Sequence, residues 1–447
     1  MAAIQTFDFG VITSQPALVA RCEFISKEFS FSLKIWKNLE DFMAEPAECR
    51  ALMASCVEAE GLYQPAEFAQ CLRFHAPSSF VICIVSRSLK KDVAVFVRKS
   101  GADMVLLDNE VDETSKIEFV VSQTVRARYM PFKVSDLVPE TPLFFDIYHL
   151  LPQRQKFLKF ALSGDTVSAE KIQKLNQVGE LYVARADATQ FDEYIKSLND
   201  HSVLGQQRRC RSQFLLLSAK FLDLLVLLSD QGSSNSYGEG QSLTAYLRTL
   251  VGDLLSCMGT GLRVSETVNT SVIGQFGSLE RSPAIAAYAG VFALHMELDT
   301  TDVMLAALMS DLGLLFVPPS VTKSLRDENL SGLKKDLLDE YRRYPLVSLD
   351  TVLNRKLMVE ERVRKIMLAK HERADGTGFP HQVSSIRIPI EAQLIQLCEQ
   401  LDRKSLLRLG QARVPFADVK RELFSRLNQD GRFSPAFVSK VMQIPAE

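Results

Sequence analysis

Between Phe7 and Asp108 the chain alternates short apolar runs with amphipathic stretches, and this alternation limits the fold more than any other feature. The runs are Phe7–Thr13, Phe31–Trp36, Arg50–Cys56, Phe80–Ser86 and Asp103–Asp108. Segments with helical spacing fall between them, such as Pro65–His75 and Leu89–Gly101. Strands joined through helices return to the same edge and run parallel, so the pattern predicts an open parallel sheet covered on both faces.

The pattern then changes twice. Pro142–Pro152 and Glu180–Arg185 read as strands, and Ser168–Gly179 and Ala188–Leu198 as helices, giving a small α/β module. A helix over Leu204–Leu228 is apolar on nearly every side toward its end, which marks a buried or self-associating helix. Its core, Phe214–Asp230, is shorter than a bilayer span and carries Lys220 and Asp223, so membrane insertion is not expected. The Gly- and Ser-rich run Ser229–Ser242 reads as a flexible linker. From Leu243 onward helical spacing takes over, in Ala245–Met258, Pro283–Met296, Thr301–Phe316, Glu360–Arg373 and Ile390–Leu409. The expected fold class is therefore multidomain α/β plus all-α. Its blocks are 1–128 (parallel sheet), 129–200 (small α/β module), 201–241 (helix and linker) and 242–447 (helical bundle).

Composition narrows the function classes. A formal net charge of −2 over 447 residues argues against a DNA-coating role. Eight cysteines occur with no CxxC pair, which fits free thiols in a reducing cytoplasm rather than disulfides or a zinc site. The N-terminus lacks a basic segment followed by an apolar block, so no signal peptide is expected.

The densest cluster of chemical side chains is the loop "KHERADGTGFP", Lys370–Pro380. Asp311 on another helix, and Glu399 and Asp402 on a third, complete a set of carboxylates and an imidazole from several helices. Helical folds build metal sites in this way. "HERADGTGFP" resembles the HHExxDGxGYP signature of HD-GYP phosphodiesterases, and "AALMSDLGLLFVPPSV" is similar to that family's LLHDIGKxxIPxxIL segment. "RSPAIAAYAGVFA", "RRYPLVSLDTV" and "IPIEAQLIQLCEQLDR" resemble three further family segments, in the family's order. The resemblance implies an HD-GYP-type bundle, cyclic di-GMP as substrate, and two or three iron or manganese ions that activate water.

Carried over by position, the ligand set is broken. The family's His and Lys positions fall on Arg281, Ser310, Leu314, Tyr344 and Lys370, leaving Asp311, His371 and Glu399 as the remnant ligand types. At ~4 Å and an effective dielectric of ~20, one fixed positive charge opposes another by ~4 kcal/mol, and a divalent ion feels about twice that. The reading is a non-catalytic HD-GYP-type protein with no catalytic residue and no cofactor expected. The alternative is a phosphodiesterase holding a single iron, manganese or zinc ion on Asp311, His371 and Glu399. Arg281, Lys370, Arg373 and Asp375 are the candidate ligand-binding residues, on the idea that fixed cations accept the phosphates of an uncut cyclic dinucleotide. A collapsed pocket filled by Tyr344 and Leu314 competes with that idea. In the family the glycine loop is linked to partner docking. Gly376, Thr377, Gly378, Phe379 and Pro380 are therefore expected to meet signalling proteins such as diguanylate cyclase domains.

"FVICIVSRSLKKDVAVFVRKSGADMVLLDN" resembles a response-regulator receiver. The acidic pair, the phospho-accepting Asp and the Lys of receivers are missing here; Thr13–Gln15, Ser55–Cys56 and Asp108 stand in their places. The resemblance implies a degenerate receiver used for docking or dimerisation; the apolar helix Leu204–Leu228 leads to the expectation of a homodimer, and the cysteine usage to that of a cytoplasmic protein.

Overall fold

The computed structural model describes the chain except residues 1–5, 58–63, 89–90, 126–127, 152–155, 177–179, 233–235, 259–266, 269–277, 328, 406–413, 415, 428, 430 and 445–447. It divides into two compact units.

The first unit contains residues 1–127, 224–240 and 314–341. Its centre is a parallel sheet of β1 (Thr6–Ile12), β2 (Leu33–Trp36), β3 (Glu48–Ser55), β4 (Phe80–Val85) and β5 (Met104–Leu107), in the order β2-β1-β3-β4-β5. All four neighbouring pairs are parallel, as the alternation predicts. Strand faces alternate. Leu52, Ala54 and Cys56 of the β3 segment join a core with Phe68, Ala69 and Leu72 of α3 (Pro65–His75) and Ala94 and Val97 of α4 (Lys91–Lys99). Around the sheet the chain also forms α1 (Pro16–Phe29), α2 (Leu39–Ala44), the short α5 (Glu110–Glu113) and α6 (Lys116–Val125).

The run read as a flexible linker is a correction. Asp230 accepts a hydrogen bond from the backbone N–H of Val105 at 2.9 Å and pairs with Arg98 at 3.1 Å, while the Gln231 N–H donates to the Val105 carbonyl. These contacts satisfy the edge of β5. A helix, α10 (Ser236–Met258), begins within the same run. Gly and Ser composition predicts freedom only where no partner exists, and here a strand edge 125 residues away in sequence supplies one.

The second unit contains residues 128–223, 241–313 and 342–447. Its antiparallel sheet has the order β6-β9-β7-β8, with β6 (Tyr129–Lys133), β7 (Ile147–Leu151), β8 (Lys156–Ala161) and β9 (Glu180–Ala184). Phe132 and Phe145 pack on Phe191 of α8 (Ala188–Ser197), and α7 (Ala169–Leu175) completes the module. The buried pair Arg211–Asp136 ties α9 (Val203–Ser229) to it. By composition α9 is long and apolar enough to cross a bilayer, but 78% of its apolar window is buried, which makes it a core helix.

The bundle consists of α11 (Ser278–His295), α12 (Thr300–Met309), the part of α14 (Lys335–Asn354) from Arg342 onward, α15 (Glu361–Ala369), α16 (Ile390–Ser405), α17 (Phe416–Arg426) and α18 (Pro435–Val441). The short α13 (Pro319–Arg326) belongs to the first unit. Asp299 caps α12 by accepting the Asp302 N–H at 3.0 Å, and every residue from Val303 to Met309 is buried. The four consecutive blocks expected from the sequence are thus interleaved. Residues 224–240 and 314–341 compact with the N-terminal sheet, and residues 128–223 compact with the bundle.

Candidate functional site

Asp311 follows α12 directly and is fully buried. Lys370 ends α15 and is 1% exposed. Its ammonium lies 2.7 Å from each carboxylate oxygen of Asp311 and 3.2 Å from Glu399 on α16. Burial works against the protonated Lys370 ammonium, but Asp311 and Glu399 outweigh that and raise its pKa. Burial likewise works against ionised Glu399, yet Lys370, His371 and Arg403 hold it below the ordinary carboxylate range.

Tyr344 of α14 donates to Asp311 at 3.0 Å and is hydrogen-bonded to Nε2 of His371. The His371 ring stacks on Phe379, with centroids 4.8 Å apart and planes 3° from parallel. Burial, then the neighbouring Lys370 charge, lowers the His371 pKa to about 4, so the imidazole is neutral near pH 7. A neutral His371 that carries its proton on Nε2 donates to the Tyr344 oxygen, which frees the phenol proton for Asp311.

The second cationic replacement is matched in the same way. Arg281 on α11 forms a two-pronged pair with Asp402, at 3.1 and 2.6 Å, one helical turn beyond Glu399. Arg403 pairs with Glu399 at 3.1 Å. Asp311, Glu399 and Asp402 therefore balance Lys370, Arg281 and Arg403. Both cations of the expected phosphate cradle are engaged by carboxylates, Arg281 by Asp402 and Lys370 by Asp311 and Glu399.

Arg373 and Asp375 lie in the glycine loop. The Arg373 guanidinium pairs with Asp375 at 3.0 Å, and Asp375 also accepts from the backbone and hydroxyl of Thr377, at 2.9 and 2.6 Å. The Arg373 bond first, then those of Thr377, hold the Asp375 carboxyl well below its usual range. The loop has a further support. The buried carboxylate of Glu372 accepts the N–H groups of His381 at 2.6 Å and Val383 at 3.0 Å. Gly376 sits at φ +78°, and a Cβ at Gly378 would strike the Arg373 backbone nitrogen. These contacts account for the loop sequence by local folding.

The sequence pointed to Asp311, His371, Lys370 and Glu399, and all four converge. Tyr344 was expected only to fill space, yet it is a hydrogen-bonding member. Asp402 and Arg403 were not recognised as partners; their spacing from Glu399 on one helix was the available signal. Ser348 was also missed. Its hydroxyl donates to the Ser310 carbonyl at 2.7 Å and accepts the Gly313 N–H at 2.8 Å.

The metal ions implied by the resemblance do not fit these side chains. Both Asp311 oxygens receive an ammonium, Tyr344 adds a hydrogen bond, and His371 Nε2 is turned to Tyr344. Among the described residues no group of three or more His, Cys, Asp or Glu side chains is arranged to hold a metal. A positively charged amine at bonding distance from both oxygens excludes a cation from them while it stays protonated.

No curated protein sequence matches the chain. Among solved structures it is similar to Bd1817, a HDG"Y"P protein from Bdellovibrio bacteriovorus, at 17% identity and a TM-score of 0.47, covering 70% of this chain and 98% of that one. Residues 267–412, which include Asp311, Lys370, His371 and Glu399, match the HD domain family, so the chain carries an HD domain over this segment.

Proposed function

We propose that the protein is a signalling module of HD-GYP type that does not hydrolyse cyclic di-GMP and works by contact with another protein. The observation that carries this reading is the Lys370 ammonium, 2.7 Å from both oxygens of Asp311 and in contact with Glu399. That arrangement supplies the charge balance a metal would otherwise bring, without a Lewis acid to activate water. The N-terminal sheet, with strand order β2-β1-β3-β4-β5, is in keeping with a degenerate receiver. Thr13, Ser55 and Asp108 stand where phosphorylation chemistry would need other side chains. The partner class we favour is a signalling protein such as a diguanylate cyclase domain, met by the loop Gly376–Pro380. Thr377 is exposed there, and Arg373 and Asp375 are partly exposed beside it.

Two assays test the reading on the full chain. Turnover of cyclic di-GMP with added ferrous or manganous ion should stay at background; sustained linearisation rejects it. Calorimetry with cyclic di-GMP addresses non-hydrolytic binding. Binding that is lost in Arg373→Ala assigns the nucleotide to the loop, and absence of binding leaves protein contact as the route.

A further inference from the structure

The HD domain is interrupted in space. Its chain leaves the bundle after Gly313 and returns at Arg342, and residues 314–341 compact with the N-terminal sheet unit. The two crossing points bracket the site: Asp311 lies just before the exit and Tyr344 just after the return.

Within the first unit this strap is firmly held. The Ser115 hydroxyl, fully buried before α6, donates to the Val317 carbonyl at 2.9 Å and lies 3.0 Å from the Thr322 hydroxyl. Arg326 of α13 forms an ion pair with Glu28 of α1. Lys323 stands 5.2 Å from the centre of the Phe24 ring, and Lys116 stands 4.7 Å from that of Phe316. Leu315, Val317 and Val321 are buried. The α1 and α6 surfaces of the sheet unit are thus occupied by a segment of the HD domain's own sequence.

The residues just outside the strap belong to the surroundings of the site. The Gly313 N–H bonds to the Ser348 hydroxyl, and a Cβ at Gly313 would collide with the Tyr344 carbonyl oxygen. The residues that flank the strap, Gly313 on one side and Tyr344 and Ser348 on the other, therefore meet beside the Tyr344–Asp311 hydrogen bond.

We infer that residues 314–341 are a transmission strap: a change on the α1–α6 surface of the N-terminal unit that loosens α13 is delivered along the chain to Asp311 and Tyr344, which flank the strap on either side. The chain itself carries the coupling. It does not depend on what the HD domain binds, and its readout separates it from the proposed function.

The test is hydrogen–deuterium exchange on the full chain. Arg326→Glu opposes Glu28 with a like charge, and Glu28→Arg with Arg326→Glu restores an opposite pair. The single variant should speed exchange over 317–326 and also over 310–313 and 344–348. The expected factor is about tenfold, equivalent to ~1.4 kcal/mol of lost docking. The double variant should return both regions toward the unmutated rate. Thr322→Val, which keeps every charge, serves if Arg326→Glu does not fold and should give the same pattern more weakly. Faster exchange confined to 317–326, or no change in any variant that folds, overturns the inference.

Discussion

Replacing Lys370 by Met tests the energetic role of the buried ammonium. Met roughly keeps the side-chain volume, so the cavity term is small and the charge term dominates. Lys370 contacts Asp311 at 2.7 Å and Glu399 at 3.2 Å. At an effective dielectric of ~20 such contacts are worth ~5–6 kcal/mol each before desolvation is subtracted. Removing one partner of a buried pair typically costs ~3–5 kcal/mol, because the orphaned charge remains buried. For a unit of this size that corresponds to a fall in Tm of roughly 10 °C. The pH dependence gives an independent check. Glu399 has a depressed pKa in the folded chain. Its stabilising contribution is therefore present above its unfolded pKa and fades as pH falls through the folded one. Without the ammonium, burial pushes the Glu399 pKa up, so Glu399 takes up a proton in acid and the penalty shrinks. Denaturant unfolding of Lys370→Met at pH 7 and pH 4 should show the larger loss at pH 7. A loss below ~1 kcal/mol at pH 7, or one that grows on acidification, would refute the reasoning.

Other perturbations follow from the same geometry. His371 has its pKa lowered to about 4, so the unfolded chain binds the extra proton between that value and 6.5. Stability should fall as pH drops through this window, by up to ~3 kcal/mol, and the acid slope should flatten in His371→Gln. Arg281→Met should cost ~3–5 kcal/mol by leaving Asp402 buried without its two-pronged partner. Arg281→Lys should recover only part of that loss, because an ammonium cannot reproduce the fork; urea titration of both variants reads the difference. Glu372→Gln replaces one acceptor oxygen with a donor facing a backbone N–H. It should cost ~1–3 kcal/mol and speed exchange at His381 and Val383.

The sequence reveals the elements better than their partners. The five parallel strands fall within a few residues of the apolar runs, and β3 and β4 at the middle of the sheet are buried almost throughout. β8 was missed because Lys156 and Lys159 interrupt the period-two pattern on an edge strand, where one side of the ladder has no neighbour. β6 was missed because Pro131 lies inside it, which is tolerated at the sheet edge. In the site, Lys370 and Arg281 were legible as charges in the places of ligands. Their neutralisation was not legible, because it depends on Asp311, 59 residues from Lys370, and Asp402, 121 residues from Arg281. Only the fold brings these pairs within bonding distance.

The central claim is that a tethered ammonium occupies the place where the resemblance implies metal ions. Metal content measured by mass spectrometry tests it most directly, on full-length protein reconstituted without oxygen in excess ferrous or manganous ion and then desalted. The account predicts far less than one bound ion per chain. Two ions retained per chain, with Asp311→Ala abolishing them, would contradict it.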